Sequence, residues 1–442
     1  MKKNKLYIAA ALALVAIASC KPSLEEYTPS AGSLNFSKYV AIGNSLTAGY
    51  ADGGLYLEGQ KVAYPNLIAE QLKQVGGGEF KSPFFSEDQA NGSGYITLTA
   101  LVNGQPVTAP VTDKLAYRPG STKLLTKYTD PVNNLGVPGM RMDLSMVAGM
   151  GSTAGNPYFE RLLPDADASK TYFTYSTTQN HTFFSFALGN NDALGWATNG
   201  GVVNMNPTTN QPDPTTVLTE TAQFTAILNG YVQALTAGGR KGVLATIPDV
   251  TATPYFTTVT RAALLAAVNA TNPPAPVTNI YIATKSGSRA ATDQDYFVLP
   301  FLSAGLLGKP NAAQIPYGLR PENPVEDKYV LDVSETATVV KRINEYNAAI
   351  KAAAASKDLA LADVHAFLNN VKGGVRINGL AVSAKYITGN AFSLDGIHLT
   401  PIGNALMANI FISAINSKYG SKIPQVDVAK YRGVKLPDTV TK

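Results

Sequence analysis

The sequence predicts an α/β fold in which a parallel sheet is covered by helices on both faces. Apolar segments of strand length alternate with longer segments that carry helix start and stop signals, the pattern of strand–helix–strand crossovers. Each predicted strand also ends in glycine or a small polar cluster. Those ends therefore collect along one sheet edge, where folds of this class bind ligands. With 45% hydrophobic and 15% charged residues, the 442-residue chain has ample material for a large core.

The first 19 residues are not expected to be part of the fold. Three lysines lead into an apolar stretch, Leu6 to Ile17, and then into small residues before Cys20. This is the composition of a secretory signal peptide. The stretch is shorter than the roughly 20 apolar residues that span a bilayer. Ile17-Ala18-Ser19-Cys20 resembles a bacterial lipobox, which implies cleavage before Cys20 and acylation of that cysteine. Lys21 stands where inner-membrane retention in enteric bacteria typically uses Asp. The resemblance implies a lipid-anchored protein of the bacterial cell envelope, and Lys21 favours the outer membrane, at its periplasmic face or the cell surface. Residues 20–37 read as the lipidated Cys20 and a turn-rich tether.

The elements then follow in order. A strand is expected at 38–43 and a helix from Tyr64, with Pro65 near its first position and Gly76 as its stop. Residues 79–130 mix short apolar pieces with Gly, Pro, Ser and Thr and read as an insertion with some β structure. Strands are expected within 131–139, 182–192 and 240–250, with an amphipathic helix at 217–239 between the last two. Residues 251–333 break the alternation and form a second insertion, with a short helix at 260–269. The apolar segment 299–308 is expected in a core, with a sharper alternative as an acyl-pocket wall or lid. Asp332 and Glu335 make a capping box for a helix at 334–356. A last strand is expected at 359–367. A last helix begins at Thr400 and Pro401 and stops at Gly420. Residues 38–420 form one domain, and 421–442 a C-terminal extension.

Composition narrows the function. The net charge of +5 includes Lys2, Lys3 and Lys5, and without them 33 basic side chains face 31 acidic ones. No basic run points to nucleic acid. Cys20 is the only cysteine, so the mature protein has no disulfide. The three histidines are scattered and suggest no metal site; no cofactor is expected.

Chemistry concentrates in a few places. Ser45, in "YVAIGNSLTAGY", follows the first strand, where a turn would present its hydroxyl at the sheet edge. His181 opens a strand and His365 lies within one, so both read as structural. His398 is preceded by Asp395 and separated from it by Gly396, a spacing that lets a carboxylate meet the imidazole Nδ1 on one loop. A serine becomes a nucleophile when a histidine takes its proton and a carboxylate steadies that histidine.

Four segments resemble, in order, blocks of the SGNH (GDSL-type) hydrolases: "GNSLTAGY", "NLGVPG", "GNND" and "DGIHLTPIG". The resemblance implies a three-layer α/β/α sandwich similar to flavodoxin, with a five-stranded parallel sheet. It implies a Ser45–His398–Asp395 triad and an oxyanion hole of the Ser45 and Gly139 N–H groups with the Asn191 side-chain amide. Asp192 is expected to support its loop. The chain departs from the family pattern at Asn44, where Asp is usual. The function so implied is hydrolysis of an ester or thioester; the apolar insertions point to acyl lipid esters, cleaved at a membrane. An acetylesterase of acetylated glycans and a non-catalytic lipid- or glycan-binding lipoprotein are the alternatives. Oligomeric state is not legible.

Overall fold

The computed structural model of this chain describes residues 27–102, 105–377 and 379–437. The expected signal peptide and Cys20 lie outside them. β1 (Tyr39–Gly43) is buried along its whole length. It gives way to a single helical turn, α1 (Ser45–Ala48), capped by the Asn44 side chain and closed by Gly49 in the left-handed region. α2 (Tyr64–Lys73) carries Pro65 in its first turn, as expected. The first insertion contains an antiparallel hairpin, β2 (Tyr95–Val102) and β3 (Gln105–Val111). Then come β4 (Phe183–Ala187), α3 (Asn191–Thr198), α4 (Thr221–Leu235) and β5 (Lys241–Ala245). After α5 (Arg261–Asn269) in the second insertion follow α6 (Val333–Ser356), β6 (Ala360–Ala362), α7 (Val364–Lys372) and α8 (Pro401–Tyr419).

The central sheet has four parallel strands in the order β1-β4-β5-β6. Its register sets Gly43 beside Ala187, so the loops carrying Ser45 and Asn191 leave the sheet side by side. Successive side chains point to opposite faces. Val40, Ile42, Phe184, Phe186 and Leu244 enter a core closed by α3, α4 and α6. Tyr39, Ala41, Phe183, Val243 and Ala360 enter the opposite core, closed by α2 and α8. This is a three-layer α/β/α arrangement. Each large apolar side chain so buried contributes about 1.5–3 kcal/mol relative to exposure.

Two expected strands differ. The segment 131–139 runs beside β1, with Leu135 N–H donating to Ala41 O and Val137 N–H to Gly43 O, but it forms only one isolated parallel bridge. The reason is local: Asn134 Oδ1 accepts from Gly136 N–H while its Nδ2 donates to Thr47 O, which bends the chain. The expected five-stranded sheet therefore has four strands. The last strand also stops early. Asp363 accepts from the Ala366 N–H and starts α7, which places His365 on a helix.

The second insertion has a small core of its own around Ile280, Phe297, Phe301 and Val325. Beyond α8, the Asn409 and Asn416 side chains bracket the backbone of Val426 and Ile423, and both hydrophobic side chains are buried against the second face of the sheet. Among the described residues no helix is long and apolar enough to cross a membrane.

Candidate active site

The first strand ends so that Ser45 opens α1 at the carboxyl edge of the sheet. Its Oγ lies 2.9 Å from His398 Nε2. On the other side of the ring, His398 Nδ1 lies 2.8 Å from Asp395 Oδ2. The three side chains expected to meet thus form one hydrogen-bonded chain across 353 residues of sequence. Gly396 makes the intervening turn possible. Its φ is +74°, and a Cβ there would stand 2.9 Å from Tyr255 N.

The Asp395 carboxylate is well supplied with donors. Oδ1 accepts from the Ile397 and His398 N–H groups and the Ser393 hydroxyl, and Oδ2 accepts from Gly53 N–H besides the imidazole. Burial would raise its pKa, but the His398 ring and the backbone N–H groups outweigh that and hold it well below the usual carboxylate range. An ionised Asp395 accepts from Nδ1–H and so leaves Nε2 free to accept from the Ser45 hydroxyl.

Several supports were not foreseen from the sequence. Asp52 accepts from Leu394 N–H and from the Tyr56 hydroxyl, and its own N–H donates to Ser393 Oγ. The Tyr50 ring packs on the His398 ring, with centroids 4.7 Å apart. The available signal was "YADGG", an Asp-Gly turn directly after the serine block.

The expected oxyanion donors sit on three neighbouring loops. Ser45 N–H is the first of α1, where a helix has no acceptor of its own. Gly139 adopts φ +77°, and its N–H has no acceptor among the described residues. It follows Val137, which is tied to Gly43, at the same sheet edge. The Asn191 amide donates to Met140 O, and this is its single bond among the described residues. Behind it, Arg141 donates to Asn191 O and pairs with Asp143. Asp192 is fully buried and accepts from Met142 N–H and the Thr219 hydroxyl, so it holds the loop as expected. Burial pushes the Asp192 carboxyl up to about 6, against the opposing pull of Arg141.

Asn44 acts locally. Its Oδ1 accepts from Leu46 N–H, while its Nδ2 is buried with no partner, a state that costs about 1–3 kcal/mol. An Asp at this place would instead bury negative charge beside Ser45.

Ser45, Asn191 and His398 open into a common cavity with about 520 Å³ of empty space, part of it continuous with solvent. Gly139 is not among its walls, and neither is segment 299–308. Phe301 of that segment is buried in the insertion's own core, and Leu299 N–H donates to Tyr255 O. The other histidines are structural. His181 bonds the Gln179 and Leu235 carbonyls, and His365 Nδ1 lies 3.0 Å from Ile247 O. Among the described residues no group of three or more His, Cys, Asp or Glu could hold a metal ion.

Residues 39–411 match the family model of the GDSL-like lipase/acylhydrolases. No curated protein sequence matches the chain significantly. Among solved structures, it is similar to the crystal structure of an extracellular lipase from Streptomyces rimosus. The identity is 13% and the TM-score 0.32, over 86% of this chain and 99% of that one. On the family match, this chain belongs to the GDSL-like lipase/acylhydrolase family and is a hydrolase acting on esters.

Proposed function

We propose that the chain is a membrane-tethered serine hydrolase that cleaves carboxylic esters, acyl lipid esters foremost, through an acyl-enzyme. The observation that carries this reading is the hydrogen-bonded run from Ser45 through His398 to Asp395.

In the first half-reaction, His398 Nε2 takes the Ser45 proton as Oγ bonds to the ester carbonyl carbon. The carbonyl oxygen becomes an oxyanion and accepts from the Ser45 and Gly139 N–H groups and the Asn191 amide. When the tetrahedral intermediate collapses, the bond to the alkoxy oxygen breaks and the imidazolium protonates the departing alcohol. Water then repeats the sequence on the acyl-enzyme. His398 takes its proton, the acid leaves, and Ser45 regains its hydrogen. Asp395 keeps its charge throughout and steadies the imidazolium.

The full-length chain, purified in detergent, should hydrolyse p-nitrophenyl esters and react with a fluorophosphonate probe. Ser45→Ala should do neither. A Ser45→Ala protein with undiminished activity contradicts the reading. A chain that is inert towards both reagents yet retains lipid or glycan favours a binding lipoprotein instead.

The tether rests on the lipobox-like Ile17–Cys20. Several acyl chains, each methylene adding about 0.8 kcal/mol, hold a protein firmly to a bilayer. Cys20→Ala should move it from the membrane fraction to the soluble fraction of cells. Continued sedimentation with outer membranes would contradict lipid anchoring at Cys20.

A further inference from the structure

The lining of the cavity at Ser45 is divided between a polar and an apolar part. Its polar side chains gather near the reacting hydroxyl: Ser45, Asn190, Asn191 and His398. Its other walls come from the segments after β4 and β5, from the Ile397–Leu399 turn, from Leu368 on α7 and from Met407 on α8. The wall beyond the mouth is apolar. Its one hydroxyl, Thr253 Oγ1, already donates to Val250 O, and Pro248 has no N–H to offer. Polar groups of a sugar or glycerol would lose water there and find no partner. An alkyl chain would lose nothing.

A second, much smaller apolar cavity of about 10 Å³ shares the walls Val364, Leu368, Leu399 and Met407 and is also lined by Phe367 and Ile410. Leu368 and Met407 therefore line both apolar spaces. Both are buried, and Met407 is an unbranched thioether that adapts its shape to neighbouring volume.

We propose that the first cavity is the acyl-chain channel of the enzyme, and that Met407 with Leu368 forms the stop that sets its preferred chain length. The inference rests on the ester-hydrolase reading and refines it to esters of medium-length fatty acids. The acyl group, not the alcohol, occupies the channel, because it stays bonded to Ser45 through the second half-reaction. The alcohol must leave and admit water. Each methylene accommodated adds about fourfold to kcat/KM until the stop is reached.

The test compares p-nitrophenyl acetate, butyrate, octanoate and laurate, and in parallel acetate esters of lengthening alcohols, on the full-length chain. The wild-type protein should prefer octanoate to acetate. Met407→Ala should join the two cavities and move the preference to laurate. Leu194→Phe narrows the channel from a half-buried wall position and should lower the octanoate-to-acetate ratio at least about tenfold. It also keeps the test open if Met407→Ala does not fold. Binding of sodium octanoate to Ser45→Ala, measured by calorimetry, separates the two claims. If the wild type cleaves nothing but Ser45→Ala binds octanoate, and Leu194→Phe added to it weakens that binding, the channel stands and the hydrolase reading falls. If the wild type is active but neither variant changes its acyl preference, or both change only its alcohol preference, the channel assignment is overturned.

Discussion

The two halves of the candidate active site are built in opposite ways. On the acid side, Asp395 accepts from Gly53, Ser393, Ile397 and His398, and the buttress at Asp52 pins Leu394 beside it. On the donor side, the Ser45 and Gly139 N–H groups point to no acceptor among the described residues. One half is saturated and the other is left open. A saturated carboxylate fixes the tautomer and orientation of His398 before substrate arrives. In the proposed mechanism the open donors serve an oxygen whose charge grows during reaction, so their stabilisation is spent on the transition state.

Breaking each half should have graded consequences. Removing the nucleophile with Ser45→Ala erases the purpose of both, and kcat should fall about a millionfold. Asp395→Asn keeps the shape of the acid side but lets Nδ1 become an acceptor, which costs about 10⁴-fold in kcat and leaves the fold intact by circular dichroism. Asn191→Ala takes one donor from the open side and should lower kcat about 10²–10³-fold with little change in KM. A rise in KM alone would place Asn191 in ground-state binding.

The smallest effect concerns the support behind Asn191. The Asp192 carboxyl is raised from its ordinary 3.8 to about 6 in the folded chain. Between those values the folded state holds a proton that the unfolded state has released. Stability from this group is thus greatest at the acid end and falls as pH rises through the window, levelling above about 6. Urea-denaturation midpoints of Asp192→Asn, followed from about pH 4 to about pH 7, should lack that decline. An unchanged profile would assign the slope to another group.

What could be read in the sequence follows from how local each signal is. α6 and α8 begin where Asp332 with Glu335 and Thr400 with Pro401 place them, because caps act through hydrogen bonds a few residues away. Ser45, Asp395 and His398 were legible through the family-like blocks. Asp363 is also a cap, but it sits inside an apolar run that reads as strand, so the onset of α7 was hidden. The side-chain turn at Asn134 similarly outweighed the strand pattern of 131–139. Long-range contacts left the weakest trace. Nothing near Asp395 in sequence announces Gly53 and Asp52, which arrive from about 340 residues away, and Arg141 gives no sign that it supports Asn191.

The central claim is that the hydroxyl at position 45 carries the acyl group, and it can be weighed directly. Rapid acid quenching of the protein during turnover of p-nitrophenyl octanoate, followed by peptide mass mapping, should find the octanoyl mass on the peptide containing Ser45. That mass should disappear when His398 is changed to Ala. An octanoyl group on any other residue, or turnover at the wild-type rate with no acylated peptide, would contradict the account.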